Sequence, residues 1–230
     1  MVERSPGSRF DFNLVAEKYD RWYSNATGAM YDRLEKKAVA DLLPGDCHRK
    51  KLLEVGCGTG HWSRFFSEFG LWVTGIDIAP SIIEIAAAKR IYSALFVLGD
   101  AHRLPFEKSS FDMAAIITAL EFVREPELVI REMIRCVRQP GGILLVAVLN
   151  SLAGINRRRK AAGNKLYEEA QFFSPSQLSD MLSPYGTAQV VSVGFVPRPK
   201  WLLPLAPVLE KIARFANLPF GAFLVGRVKL

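Results

Sequence analysis

The chain has 230 residues, half of them hydrophobic and 23% charged, with a net charge of +7. That is enough chain for one complete α/β domain and too apolar a composition for a disordered one. No apolar run reaches the roughly 18–20 residues of a membrane span, residues 1–12 carry no secretory apolar region, and Cys47, Cys57 and Cys136 are too few and too scattered for a disulfide framework or a metal set. The expectation is a cytoplasmic protein without a metal.

In chain order, Phe12, Val15, Ala16, Tyr19, Trp22 and Tyr23 recur at helical spacing, and Met30, Leu34, Val39, Leu42 and Leu43 resume it. One or two helices are predicted over 13–43, ended by Pro44-Gly45. An apolar strand over 51–55 runs into glycines at 56, 58 and 60, and a helical pattern starts at His61. A second strand, 72–76, ends at Asp77. Ser81 with Glu84 three residues on reads as a capping box opening a helix over 81–91. Strands over 94–98 and 111–117, a helix over 127–137 and a strand over 143–149 follow. Ser174-Pro175-Ser176-Gln177 opens another helix, and strands over 190–196 and 222–228 close the chain. Strands alternating with helices imply a parallel sheet with right-handed crossovers.

The strand–glycine loop–helix unit is where such a sheet brings backbone N–H groups close to a nucleotide-like ligand. Asp77, 21 residues beyond Gly56, suits a ribose diol. The dinucleotide fingerprint Gly-x-Gly-x-x-Gly would need a third glycine where this chain has His61, and an acid at Glu54 is awkward beside a pyrophosphate but sensible beside an ammonium group. A ligand with a purine, a ribose and an amino-acid tail satisfies these features, and S-adenosylmethionine is such a ligand. A nicotinamide oxidoreductase is the less favoured reading.

Glu54-Val55-Gly56-Cys57-Gly58-Thr59-Gly60 resembles motif I of class I S-adenosylmethionine-dependent methyltransferases. Gly75-Ile76-Asp77-Ile78-Ala79-Pro80-Ser81 resembles the family's ribose-binding strand end, and Gly99-Asp100-Ala101-His102-Arg103-Leu104-Pro105-Phe106 its adenine loop. Ser110-Phe111-Asp112-Met113 through Leu120 looks like strand four, and Pro140-Gly141-Gly142-Ile143-Leu144-Leu145-Val146 like the turn into strand five. Five such segments in order, over roughly residues 50–150, are most similar to the type 11 subgroup related to ubiquinone- and menaquinone-biosynthesis methyltransferases. The resemblance implies a Rossmann-like, seven-stranded, mostly parallel sheet with helices on both faces, the seventh strand antiparallel between five and six, and an N-terminal helical lid. It implies one domain: lid 1–45, cofactor-binding core 46–150, substrate-specificity insertion 151–190 and C-terminal strands 191–230. S-adenosylmethionine would be the cofactor and S-adenosylhomocysteine the product. Gly56, Cys57, Gly58 and Gly60 would cradle the methionine end and Glu54 would face its ammonium. Asp77 would accept the ribose hydroxyls with Ile78 packed on the adenine. Asp100 and Ala101 would bind the purine, Thr118 would line the pocket near the sulfonium, and Tyr19, with Tyr31 behind it, would come from the lid.

The candidates for a proton-accepting residue are His61, His102, Glu121 and Tyr19. Related quinone-pathway enzymes often carry a histidine shortly after strand four; Thr118-Ala119-Leu120-Glu121-Phe122-Val123 has none, which argues against a quinone acceptor. A small-molecule acceptor, apolar or aromatic, is the leading expectation. The alternatives are a lipid or quinone at the membrane surface, and a non-catalytic S-adenosylmethionine-binding protein. Nucleic acid ranks low, because interleaved aromatics are sparse. Arg157-Arg158-Arg159-Lys160 is expected to be a solvated face. In the tail, Val208, Leu209, Ile212 and Phe215 recur at helical spacing beside Lys211 and Arg214. Core packing or a pocket wall is expected there ahead of an amphipathic helix on an anionic bilayer with peripheral membrane contact.

Overall fold

A computed structural model describes residues 7–230, apart from the side chains of residues 17–19. Seven strands form one sheet in the order β3-β2-β1-β4-β5-β7-β6: β1 Lys51–Val55, β2 Trp72–Asp77, β3 Ala94–Leu98, β4 Met113–Ile117, β5 Ile143–Leu149, β6 Ala188–Val193 and β7 Phe223–Lys229. The first five are mutually parallel; β7 runs antiparallel to both β5 and β6. Parallel strands covered on both faces should be continuously apolar, and β4 and β5 are buried along their whole lengths.

Side-chain alternation divides the core. Leu53, Val55, Ile116, Leu144 and Val146 point to the face covered by α4 (Pro126–Cys136) and α7 (Pro175–Leu182). Leu52, Val73, Met113 and Leu145 point to the face covered by α1 (Ala26–Leu42) and α2 (His61–Glu68). Helix α2 forms because Trp62, Phe65 and Phe66 fall on one side, all of them buried. Helix α7 has the capping box predicted for it: Ser174 accepts from the Gln177 amide while the Gln177 side chain accepts from the Ser174 amide.

Two local expectations change. The helix predicted at 81–91 is α3, Pro80–Ala88, with Ala79 as its cap and no side-chain capping bond. Ser81 instead donates to Asn13 Oδ1 at 2.6 Å, so a tertiary partner takes the hydroxyl that the local pattern assigned to the helix. The lid has one α-helix, α1, capped by Asn25 accepting from Gly28 N at 2.9 Å; before it, Phe12–Leu14 and Ala16–Trp22 are tighter 3-10 turns. Between β5 and β7 lie α5 (Gly154–Ala161), α6 (Lys165–Glu169), α7, β6, a 3-10 stretch Lys200–Leu205 and α8 (Ala206–Phe215). Among the described residues no helix is long and apolar enough to cross a membrane.

Candidate active site

β1 is flanked by β2 on one side and β4 on the other, so the chain direction of the crossovers reverses there. Ligands of open α/β sheets bind outside the carboxyl ends of the strands at such a switch point. The loop after β1 turns through Gly56, Gly58 and Gly60 with φ of 65°, 53° and 78°. At Gly56 the need for glycine is also steric, because a Cβ would come within 2.3 Å of the Ala119 side chain after β4. Asp77, at the end of β2, accepts from Gly58 N at 3.0 Å and from Ala79 N at 3.1 Å, tying the two loops together. Burial raises its pKa, and the amide donors offset part of that.

Beside this turn lies a cleft lined by Gly56, Asp77, Ile78, Asp100, Ala101 and Phe122. Gly7, Ser8 and Phe12 close it, leaving about 60 Å³, far below the ~300 Å³ of an ordinary ligand pocket. The closing segment is a strap: Arg9 N donates to Phe122 O at 2.7 Å, Arg9 Nε donates to Val123 O at 2.9 Å, and Asn13 holds Ser81. Gly7 lies so close to the Asp100 carboxylate that a Cβ there would be 2.5 Å from it.

The other sequence-predicted residues separate into two groups. Thr118 stands at the tip of β4 in a left-handed conformation, φ 48°, that a β-branched residue rarely adopts. Strain of this kind collects at functional sites, and Thr118 borders the second cavity described below. Glu54, 1% exposed, borders neither cavity: it accepts from Ser63 Oγ at 2.5 Å behind the glycine loop, and burial pushes its pKa to about 8. Cys57 is also buried, its thiol directed at Gly58 O. Gly58 and Gly60 shape the loop without lining the cleft. Tyr19 has its side chain outside the described residues.

The proton-acceptor candidates take up separate places, and among the described ones only His102 lines the cleft. His61 Nε2 lies 2.7 Å from Asp32 Oδ1, and Tyr23 stacks on its ring at 3.7 Å between centroids. His102 is held at both nitrogens, Nδ1 by Asp100 at 2.6 Å and Nε2 by the Glu125 amide at 3.3 Å, on the purine side of the cleft. Glu121 is fully buried, with Oε1 accepting from Leu149 N and Oε2 without a partner among the described residues, and burial pushes its pKa to about 7. Position two to four residues from a motif does not tell which way a side chain turns, and here packing turns His61 and Glu121 away while His102 stays on the wall of the cleft.

A second cavity of about 270 Å³ lies against Thr118. It shares Phe12 and Phe122 with the cleft, and Trp22, Tyr23, Tyr31 and Tyr167 supply aromatic wall. Arg159, expected on a solvated face, instead lays its guanidinium over the Trp22 and Tyr167 rings, 4.7 Å and 5.2 Å from their centroids. Glu35 also borders this cavity, and among the described residues no hydrogen bond reaches its carboxyl. Burial, with the charge of Asp32 adding to it, pushes the Glu35 pKa to about 8. The sequence signal for Glu35 was faint: it falls one turn after Tyr31 on α1 in a stretch rich in surface charges.

The donors and acceptors of the cleft fit S-adenosylmethionine: two carboxylates, Asp77 and Asp100, stand on the wall of an apolar slot beside a glycine turn. Residues 53–146 match the family described as Methyltransferase domain. An uncharacterised protein of Methanocaldococcus jannaschii is 28% identical over 76% of this chain and 80% of its own length. The demethylmenaquinone methyltransferase of Renibacterium salmoninarum is 35% identical over 59% of this chain, but only 56% of that enzyme is spanned. A crystal structure of an S-adenosylmethionine-dependent methyltransferase from Thermotoga maritima, described as a possible histamine N-methyltransferase, shares the fold over 95% of this chain and 98% of that one, with a TM-score of 0.73 at 24% identity. The methyltransferase-domain match over residues 53–146, the sheet order and the cleft chemistry agree, and over that stretch the chain is similar to class I S-adenosylmethionine-dependent methyltransferases, among them quinone-biosynthesis enzymes.

Proposed function

We propose that the chain transfers a methyl group from S-adenosylmethionine to a small, largely apolar or aromatic acceptor held in the cavity bounded by Thr118, Tyr31, Tyr167 and Glu35. The observation that carries this reading is that the cleft and the aromatic cavity meet at Phe12 and Phe122, so a donor in one and an acceptor in the other share a wall. Asp77 would hold the ribose, Asp100 the purine, and the Gly56 turn the methionine end. When bound, the donor supplies a methyl group already activated by a sulfonium. The acceptor's lone pair forms the new bond to the methyl carbon as the carbon–sulfur bond breaks, and the thioether leaves with its electron pair.

The protein's own contribution is alignment and the exclusion of water. Holding two reactants in attack geometry is worth roughly 7–11 kcal/mol. The strap over the cleft and the aromatic walls of the cavity supply both. Where the acceptor must lose a proton, Glu35 is the group placed to receive it. A carboxyl raised to about 8 is a far stronger base than an ordinary one once ionised. Turnover of such an acceptor therefore rises with pH through about 8.

The test is incubation with methyl-labelled S-adenosylmethionine and a cell extract, followed by separation into organic, aqueous and macromolecular fractions. Label in a small-molecule fraction supports the reading; label confined to macromolecules overturns it. With the acceptor in hand, Glu35→Gln is expected to lower kcat about 100-fold with donor affinity unchanged. A wild-type kcat in that variant removes Glu35 from the chemistry.

A further inference from the structure

The tail, expected to be core or a pocket wall, buries only its small residues and Glu210 on α8. Helix α8 buries Ala206, Glu210 and Ala213 against the fold. Its large apolar residues face outward: Val208 is 56% exposed, Ile212 59% and Phe215 91%. The preceding 3-10 stretch does the same with Trp201, 79% exposed, and the following loop with Phe220, 59%. Small residues inside and large apolar residues outside is the reverse of an ordinary surface helix. An apolar patch built this way is a contact surface.

The charges around the patch select its partner. Residues 190–230 contain six basic residues and one acid. That acid, Glu210, is turned inward, 5% exposed, and accepts from Gly194 N and Phe195 N at 2.9 Å each. Lys200 and Lys211 are exposed on the patch, and Arg158 and Arg198 line a groove with Ile212 and Phe220. Arg214 is paired with Asp41 at 2.9 Å. A cationic rim around Trp, Phe, Ile and Val, with no outward acid on the segment, matches the boundary between headgroups and acyl chains of an anionic bilayer.

From this we infer that residues 200–220 dock the protein on an anionic membrane surface, with Trp201, Val208, Ile212 and Phe215 inserted and Lys200 and Lys211 among the headgroups. The groove beside the patch also contains Tyr31 and Ala222, which border the aromatic cavity. Docking therefore sets the acceptor cavity close to the lipid, a consequence that rests on the proposed methyl-transfer reading, whereas docking itself does not.

The experiment is co-sedimentation of the full chain with vesicles of phosphatidylglycerol and phosphatidylcholine in equal parts, against phosphatidylcholine alone, with no donor or acceptor present. Binding is expected to the anionic vesicles, to weaken as salt is raised, and to shift tryptophan emission to the blue. Trp201→Phe should abolish most of that emission shift. The double variant Ile212→Asp with Phe215→Asp should cut partitioning at least about tenfold while its circular dichroism and thermal unfolding stay those of the wild type. Absence of binding to anionic vesicles overturns the inference, as does equal binding by the folded double variant. So does light scattering that shows a dimer which the double variant converts to monomer, because a second copy would then cover the patch. Methyl transfer without vesicle binding would remove the inference and leave the proposed function standing.

Discussion

Glu54 offers the sharpest quantitative consequence of the fold. It sits on β1 with 1% of its surface exposed, and among the described residues its carboxyl takes a hydrogen bond from Ser63. Burial, aided by the nearby charge of Asp77, raises its pKa from 4.5 to about 8. Between those two values the folded chain holds a proton at this site that the unfolded chain has released. Stability from this group is therefore complete below about 4.5 and is lost as pH rises through about 8. The slope is about 1.4 kcal/mol per pH unit for one proton, or roughly 3 kcal/mol between about pH 5.5 and 7.5. Glu54→Gln keeps the shape and the acceptor for Ser63 but cannot ionise. Urea unfolding at pH 5.5, 6.5 and 7.5 should show the wild type losing stability with pH. The variant's slope should be smaller by about 1.4 kcal/mol per unit, the remainder coming from Glu121 and Glu35, which are raised in the same direction. Equal slopes in the two proteins would refute the account of a neutral, buried Glu54.

Asp77→Asn should weaken S-adenosylmethionine binding by about 10- to 100-fold, the worth of one charge-assisted hydrogen bond, as read by calorimetry, with thermal unfolding checking that the Gly58 and Ala79 turns persist. Affinity within twofold of wild type would remove the ribose assignment. Deleting residues 1–15 removes the strap that leaves the cleft only about 60 Å³; stopped-flow binding should show faster association and much faster release of S-adenosylmethionine. Unchanged rates would mean that the strap does not gate the cleft.

Much of this protein could be read from its order of residues, and the reason is locality. β1, its glycine turn and α2 form one continuous stretch, so Leu52, Leu53 and Val55 followed by Gly56, Gly58 and Gly60 specify both an apolar strand and a turn that tolerates positive φ. The strands β4 and β5 follow because buried parallel strands must be apolar throughout. The capping box at Ser174 is local in the same sense. What could not be read depends on contacts between distant parts of the chain. Ser81 was lost as a cap because Asn13, 68 residues away, offers it a better acceptor. His61 and Glu121 were plausible bases until Asp32 and the Leu149 amide took hold of them. Glu35 borders the aromatic cavity only because α1 shares that cavity with Thr118, Tyr167 and Arg159, three residues from three other segments. The tail shows the limit most plainly. The spacing of Val208, Ile212 and Phe215 describes one helical face, and spacing alone has no inside or outside. Only the seating of Ala206, Glu210 and Ala213 against β6 and its following loop, where the Gly194 and Phe195 amides hold the Glu210 carboxylate, turns that apolar face toward solvent.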